Sequence, residues 1–313
     1  MTSSTSDIGS RTSDEPFRAG YVAIVGRPNV GKSTLMNRLV GQDLSIVSSR
    51  PQTTWHRILG IKTLPTAQLL FLDTPGMHES SALFNQTLVQ AAERAMAKAD
   101  VILWLIDATA RDHPDDHRIL ERLQAEPPRG PVLLAINKVD LIAKPLLLPI
   151  IDRWRTAYSF AEIVPISAAT GENVARLESL LAQTVPAGPA LYDPDDLTDR
   201  PERFFIAEIL RGQAFALLRQ ELPYAVAVEV EAVRPREGQN LTDVQATLYV
   251  ERASQKGIVI GGGGQMLKRI GAAARPAIEE LLDTRVYLEL HVKVEEAWRR
   301  DANALRRHGY LES

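Results

Sequence analysis

Gly26-Arg27-Pro28-Asn29-Val30-Gly31-Lys32-Ser33 is the stretch that decides the fold of this 313-residue chain. It matches G-x-x-x-x-G-K-[ST], and it lies between a short apolar run, Tyr21–Val25, and a segment of helical pattern, Lys32–Leu39. A strand before the loop and a helix after it are what give this pattern physical meaning. The glycines let backbone N–H groups curl around phosphate oxygens, and the helix adds the positive end of its dipole. Gly26, Asn29, Val30, Gly31 and Thr34 then belong to a nucleotide cradle. Lys32 reaches the β- and γ-phosphates as a catalytic cation, and the Ser33 hydroxyl binds Mg²⁺. The bland alternative is a glycine turn with a solvated lysine, and the flanking strand and helix weigh against it.

Working outward, apolar runs of four to six residues recur at Leu69–Leu72, Val101–Ile106, Val132–Ile136 and Ile163–Ile166. Such runs read as buried strands of a parallel sheet. Helical segments are expected near Leu83–Lys98, Pro114–Leu123, Leu146–Tyr158 and Val174–Gln183. This order predicts an α/β P-loop NTPase domain with a mixed, mostly parallel sheet. An extra strand, Arg57–Lys62, is too close to Ala67–Leu72 for a parallel crossover, so that pair should be antiparallel. Residues 187–200, rich in Pro and Asp, read as a flexible linker. The order then changes: a helix at Glu202–Leu218, strands at Ala225–Val233 and Val244–Val250, a glycine cluster at Gly261–Gly264, then two short helices, a strand at Arg285–Val294 and a helix from Glu296. That is an α+β domain with a small antiparallel or mixed sheet, over residues 201–313, after a first domain at residues 19–186.

Composition narrows the chemistry. No cysteine is present, which excludes a disulfide scaffold, Cys-ligated metal and a thiol nucleophile. No apolar run approaches the ~18 residues of a membrane helix. Residues 1–18 form an expected disordered tail: Met1–Glu15 holds eight Ser or Thr and no apolar core that would suit a signal peptide. The net charge of −3 argues against a globally basic nucleic-acid binder and leaves room for a local basic patch.

Three further motifs follow the phosphate loop in order. Asp73-Thr74-Pro75-Gly76 ends an apolar strand. Asp73 is placed to hold Mg²⁺, and the Gly76 N–H to sense the γ-phosphate. Asn137-Lys138-Val139-Asp140 follows another strand. Asp140 can accept from both the N1–H and the exocyclic amine of guanine, a donor pair adenine lacks. Asn137 contacts the base or braces the loop, and the stem of Lys138 stacks over the base. Ser167-Ala168 resembles the loop whose backbone N–H meets guanine O6. Together these look like a translation-associated GTPase of the Ras-like class, with GTP or GDP and Mg²⁺ as ligands.

Ser49–Arg57 lies between the first two motifs, where a threonine should fold over the nucleotide and complete the Mg²⁺ shell. Thr54 is the candidate, with Thr53 second; a plain polar loop is the alternative. Met77 stands after Gly76, where many GTPases place a water-orienting glutamine, so slow intrinsic hydrolysis is expected. The form of the loop resembles GTPases in which its asparagine helps bind K⁺, which makes Asn29 a candidate for that role.

In the second domain, Gly261-Gly262-Gly263-Gly264 contains G-x-x-G inside IVIGGGGQMLKRIG. Periodicity alone makes Ile258–Ile260 a strand. The resemblance to an α+β KH domain of type II makes it the end of a helix instead. In that family the loop clamps single-stranded nucleotides, so Lys256, Gly261, Gly262, Gly263, Gly264, Lys268 and Arg269 are the RNA-binding candidates. Arg252, Lys256, Lys268, Arg269 and Arg275 occur between residues 252 and 278 with no acidic residue among them. Gly262 and Gly263 occupy the variable pair, where a basic residue is usual.

A Ras-like GTPase followed by a KH domain resembles the bacterial Era GTPase family, on GRPNVGKSTL, RPQTTWHR, FLDTPGMH, NKVD and QKGIVIGGGGQMLKRIG. Trp55 departs from the arginine usual there. The resemblance implies GTP hydrolysis, binding of the 16S rRNA 3′ end, a role in small ribosomal subunit biogenesis, a monomer, and a cytoplasmic protein with peripheral contact to the inner membrane. Three alternatives stand beside it. They are an RNA-binding scaffold with little turnover, a membrane-associated signalling GTPase anchored through Trp298–His308, and a tRNA-modification GTPase.

Overall fold

A computed structural model of the chain describes residues 16–42, 44, 58–73, 94–110, 112–219 and 222–310. Six strands form the first sheet: β1 (Arg18–Val25), β2 (Ile58–Thr63), β3 (Ala67–Asp73), β4 (Val101–Asp107), β5 (Val132–Asn137) and β6 (Glu162–Pro165). Their order is β2-β3-β1-β4-β5-β6. The β2–β3 pair is antiparallel, as the short connection requires, and the other neighbours are parallel. Strands β3, β4 and β5 are buried along their whole length because helices cover both faces.

Residue alternation sorts the core. Leu103 and Leu105 point to one face, with Leu35 and Leu39 of α1 (Lys32–Val40) and Leu177 and Leu181 of α4 (Val174–Thr184). Ile102, Trp104 and Ile106 point to the other face. There they meet Ile119 and Leu123 of α2 (Pro114–Ala125) and Trp154 of α3 (Leu147–Ala157). Trp104 and Trp154 pack edge to face with centroids 4.9 Å apart, a favoured aromatic geometry. Of the helix expected at Leu83–Lys98, residues 94–98 are described and are helical. β1 sits at the centre with β3 on one side and β4 on the other. The chain direction therefore reverses outward from it, and the carboxyl ends of the strands open a crevice.

The second half holds α5 (Glu202–Leu217), β7 (Ala227–Pro235), β8 (Leu241–Val250), α6 (Ala253–Ile260), α7 (Gln265–Leu282), β9 (Arg285–Val294) and α8 (Ala302–Arg307). The sheet is mixed, with β7–β8 antiparallel and β8–β9 parallel. Ile258–Ile260 is helical, so the KH pattern is right and the periodicity misleads. In place of the two short helices expected after the glycine cluster, one helix of 18 residues, α7, runs from the cluster to β9. The helix expected from Glu296 is broken. Ala297 takes a left-handed turn at φ +51°, a short 3-10 turn spans Trp298–Arg300, and α8 begins only after Asp301 caps it.

The linker also differs from expectation. Buried Gln68 accepts from the Leu191 and Tyr192 N–H groups at 2.7 and 3.0 Å and donates to the Tyr192 carbonyl and to Thr63 Oγ1, both at 3.0 Å. The Ile61 N–H donates to the Leu197 carbonyl at 2.8 Å. The segment is thus strapped along β2 and β3 rather than free, because a buried amide and the edge strand's backbone need these partners.

Candidate functional site

The crevice collects four strand ends: Gly26 follows β1, Asp73 ends β3, Asp107 ends β4 and Asn137 ends β5. Helix α1 starts at Lys32 behind Gly31, which has φ +102° and offers no side-chain cap. The first-turn N–H groups are therefore directed at whatever the loop binds. A Cβ on Gly31 would lie 2.3 Å from Asn137 Nδ2, so both conformation and space demand glycine.

Lys32 is buried, and its Nζ donates to the Gly26 and Arg27 carbonyls at 3.0 Å each. Burial pulls its ammonium down to about 8, and the nearby Asp73 carboxylate offsets only part of that. Phosphate oxygens arriving in the loop would supply the missing counter-charge. Ser33 Oγ donates to Asp73 Oδ2 at 3.1 Å, which brings two hard oxygens together beside the loop. This pair suits Mg²⁺, which takes one or two protein oxygens and fills its shell with phosphate and water. Among the described residues no cluster of three His, Cys, Asp or Glu forms an all-protein metal cage. Bound there, Mg²⁺ would spread the charge of the β- and γ-phosphates.

Of the two roles expected for Asn137, the geometry supplies the brace. Its Nδ2 donates to the Val30 carbonyl at 2.8 Å and its Oδ1 accepts from the Ala168 N–H at 2.9 Å. Asn137 thus ties the phosphate loop to the Ser167-Ala168 loop, whose backbone N–H is expected to meet guanine O6. Ser167 is buried, and its hydroxyl accepts from the Thr170 N–H at 3.0 Å. Lys138 has φ +65° and donates to the Asn29 carbonyl at 2.8 Å. Asp140 stands exposed in the turn Val139–Leu141, where its carboxylate can meet the base edge. Thr54, Thr74, Pro75, Gly76, Trp55 and Met77 lie outside the described residues. Sequence reading passed over Asp107, although a carboxylate closing the apolar strand VILWLID was a usable signal.

The second loop is built differently. Gly261 closes α6 at φ +72°, where a Cβ would lie 2.8 Å from the Met266 backbone nitrogen. Helix α7 starts behind Gly264 and also has no side-chain cap. Around Gly262, Gly263 and Gly264 an added Cβ would meet no described atom within 4 Å. On α7, Ile270, Ala274 and Ile278 recur at four-residue spacing and are buried, while Lys268 and Arg269 are exposed; Lys256 on α6 is half-buried. An exposed glycine backbone at a helix N-terminus, flanked by cations, suits a phosphodiester chain.

The membrane-anchor alternative loses its support. Trp298 and Leu305 are fully buried with Tyr224 and Tyr249 against them, Arg299 pairs with Glu251, and Arg307 pairs with Glu295. No helix among the described residues is long and apolar enough to cross a membrane.

Comparison with known proteins bears on both halves. A family model described as a 50S ribosome-binding GTPase matches residues 21–138, and a KH domain model matches residues 221–299. GTPase Era of Geobacter metallireducens is 47% identical over 298 residues, covering 95% of this chain and 99% of that protein. GTPase Era of Geotalea uraniireducens is 48% identical over 297 residues, with the same coverage. A crystal structure of an Aquifex aeolicus Era variant bound to GDP·AlF4⁻ aligns with a TM-score of 0.90 at 40% identity, over 95% of this chain and all of that one. A structure of Era with MgGDPNP and nucleotides 1506–1542 of 16S ribosomal RNA aligns with a TM-score of 0.90 at 41% identity, over the same shares. With a P-loop GTPase half and a KH half matched along nearly its whole length, the chain belongs to the GTPase Era family.

Proposed function

We propose that this protein is a GTP-hydrolysing switch that binds the 3′ end of 16S rRNA through its KH half and acts in small ribosomal subunit biogenesis. The observation that carries it is the pairing, on one chain, of a braced phosphate-and-guanine crevice with an open G-x-x-G loop flanked by cations. The likeness to Era solved with MgGDPNP and 16S rRNA nucleotides supports the same ligands here. In this reading the GTPase unit spans residues 19–186, the KH unit residues 201–313, and residues 187–200 are the linker between them. Thr54 completes the Mg²⁺ shell with Ser33 and Asp73, and the Gly76 N–H senses the γ-phosphate. K⁺ sits beside exposed Asn29 and supplies positive charge as GTP is hydrolysed. The protein acts as a monomer in the cytoplasm, and its contact with the inner membrane is peripheral. If the GTP form grips RNA, then by reciprocity RNA favours GTP over GDP.

The test is GTP turnover in K⁺ buffer with and without an oligonucleotide copying the 16S rRNA 3′ end, repeated in Na⁺. The expected result is tight RNA binding, faster turnover with RNA, and slower turnover in Na⁺. Gly264→Asp, which puts an anion where phosphates approach, should abolish RNA binding and leave GDP binding intact. RNA binding without any turnover would establish the scaffold instead. RNA binding that survived Gly264→Asp would remove the loop from the interface.

A further inference from the structure

Two buried carboxylates beside the nucleotide crevice, Asp107 and Asp116, form a charge cluster with Arg27 and Lys138. Asp107 closes β4 directly opposite Asn137 on β5. Its Oδ2 accepts from Lys138 Nζ at 2.7 Å, and Arg27 Nη2 lies 3.2 Å from the same oxygen. Its Oδ1 accepts from the Thr109 N–H at 2.9 Å and from the Thr109 hydroxyl at 2.7 Å. Lys138 Nζ also donates to the Asn29 carbonyl at 2.8 Å. Arg27 Nε lies 3.4 Å from Asp116 Oδ2 in the first turn of α2. The carboxylates of Asp107 and Asp116 are both 6% exposed.

Asp107 therefore joins two cations that belong to different loops. Arg27 is part of the phosphate loop, and Lys138 is part of the guanine loop. Burial alone would push the Asp107 carboxyl up, yet the hydrogen bonds from Lys138 and Thr109 leave it below its ordinary value. It is held as the anion that both cations need. Lys138 sits in a left-handed backbone conformation that a non-glycine residue keeps only when its surroundings hold it there. Removing the carboxylate would take from Arg27 and Lys138 the one buried anion they share, leaving, among the described residues, Arg27 only Asp116 and Lys138 only the Asn29 carbonyl.

We infer that Asp107 is a positioning residue for guanine-nucleotide binding: one carboxylate, by holding Lys138 and Arg27 together, locks the guanine loop to the phosphate loop. The base and the phosphates are then gripped and released as one unit. Asp107 is at the base side of the crevice, away from the Ser33–Asp73 pair, so its loss acts on affinity and not on the hydrolytic step. The inference rests on the guanine-nucleotide reading.

The test is a double-mutant cycle read by fluorescent mantGDP dissociation on the full-length protein. Wild-type binding of mantGDP and competition by GDP but not ADP come first; failure there sinks the guanine reading itself. Asp107→Asn and Lys138→Met should each speed dissociation about ten-fold, the size of a lost charge-assisted hydrogen bond. The double variant should be no faster than either single one. GTP hydrolysis by Asp107→Asn should show a KM raised by a similar factor and a kcat within two-fold of wild type. Thr109→Val, at an exposed position, covers the case in which Asp107→Asn does not fold. It loosens the same carboxylate and should speed dissociation about three-fold, a partial version of the same loss. Single effects that multiply in the double variant would overturn the inference. So would unchanged dissociation in Asp107→Asn, or in Thr109→Val where that variant stands alone.

Discussion

The two glycine loops of this protein both feed an uncapped helix N-terminus, yet they are built in opposite ways. The loop before α1 is locked from every side. Asn137 holds Val30, Lys138 holds Asn29, Arg27 lies between two buried carboxylates, and Lys32 is itself buried. The loop before α7 has open space around three of its glycines, and Lys268 and Arg269 stand in solvent. The difference follows from the ligands. A small nucleotide offers few groups, so its site must be preorganised and dry, where each electrostatic contact counts for more. A polymer offers a row of phosphates, so a permissive surface suffices and salt sets its strength.

The sharpest way to break the comparison is to add one methyl group to the locked loop. Gly31→Ala places a Cβ against Asn137 Nδ2 in a backbone conformation that alanine resists. Strain of about 1–3 kcal/mol, together with a displaced brace, predicts a loss of GDP affinity of roughly a hundred-fold or more. RNA binding by the same variant should stay within two-fold. Equilibrium titration with mantGDP and with the RNA oligonucleotide measures both, and nucleotide affinity within ten-fold of wild type would show the loop to be softer than its contacts imply.

The open loop should respond the other way. Gly262 has an ordinary φ and an added Cβ meets no described atom within 4 Å, whereas Gly263 is at φ +59°. Gly262→Lys should therefore fold normally and gain a phosphate contact. RNA affinity should rise several-fold, and the slope of log affinity against log salt should steepen by about 0.7. Filter binding between low and moderate salt would read this. An unchanged slope would mean that no phosphate passes that position.

These contrasts also mark what could be read before the fold was known. The α/β order, the antiparallel β2–β3 pair and the bounds of β9 were legible, because buried strands carry apolar runs and short connections forbid crossovers. Ile258–Ile260 was not legible from periodicity, since three apolar residues fit a strand or a helix end equally well. The phosphate and guanine motifs were legible because their residues are contiguous. The cluster that Asp107 forms with Arg27 and Lys138 was not, because its members meet only when β4 pairs with β1 and β5 and brings the strand ends together. The strap along residues 191–197 was hidden for a similar reason. Nothing in a Pro- and Asp-rich segment says that Gln68, more than a hundred residues earlier, takes both its donors and acceptors from it.

The mildest contrast is one of pH. Burial holds the nucleotide-free Lys32 at about 8, so near pH 8 about half the population carries a neutral amine. Nucleotide phosphates favour the charged form, so binding restores the proton, and affinity must fall as pH rises through that value. Relative to pH 7, mantGDP affinity should be about two-fold weaker at pH 8 and about four-fold weaker at pH 8.5, below the range where guanine itself loses a proton. Calorimetry at pH 8 in buffers of different ionisation enthalpy should register uptake of about half a proton per GDP bound. RNA affinity over the same range is the internal control, because Lys32 lies in the phosphate loop and not in the open loop. Proton release on GDP binding, or an affinity flat from pH 7 to 8.5, would mean that Lys32 is already fully charged in the empty crevice. The locked loop would then owe its grip to geometry alone.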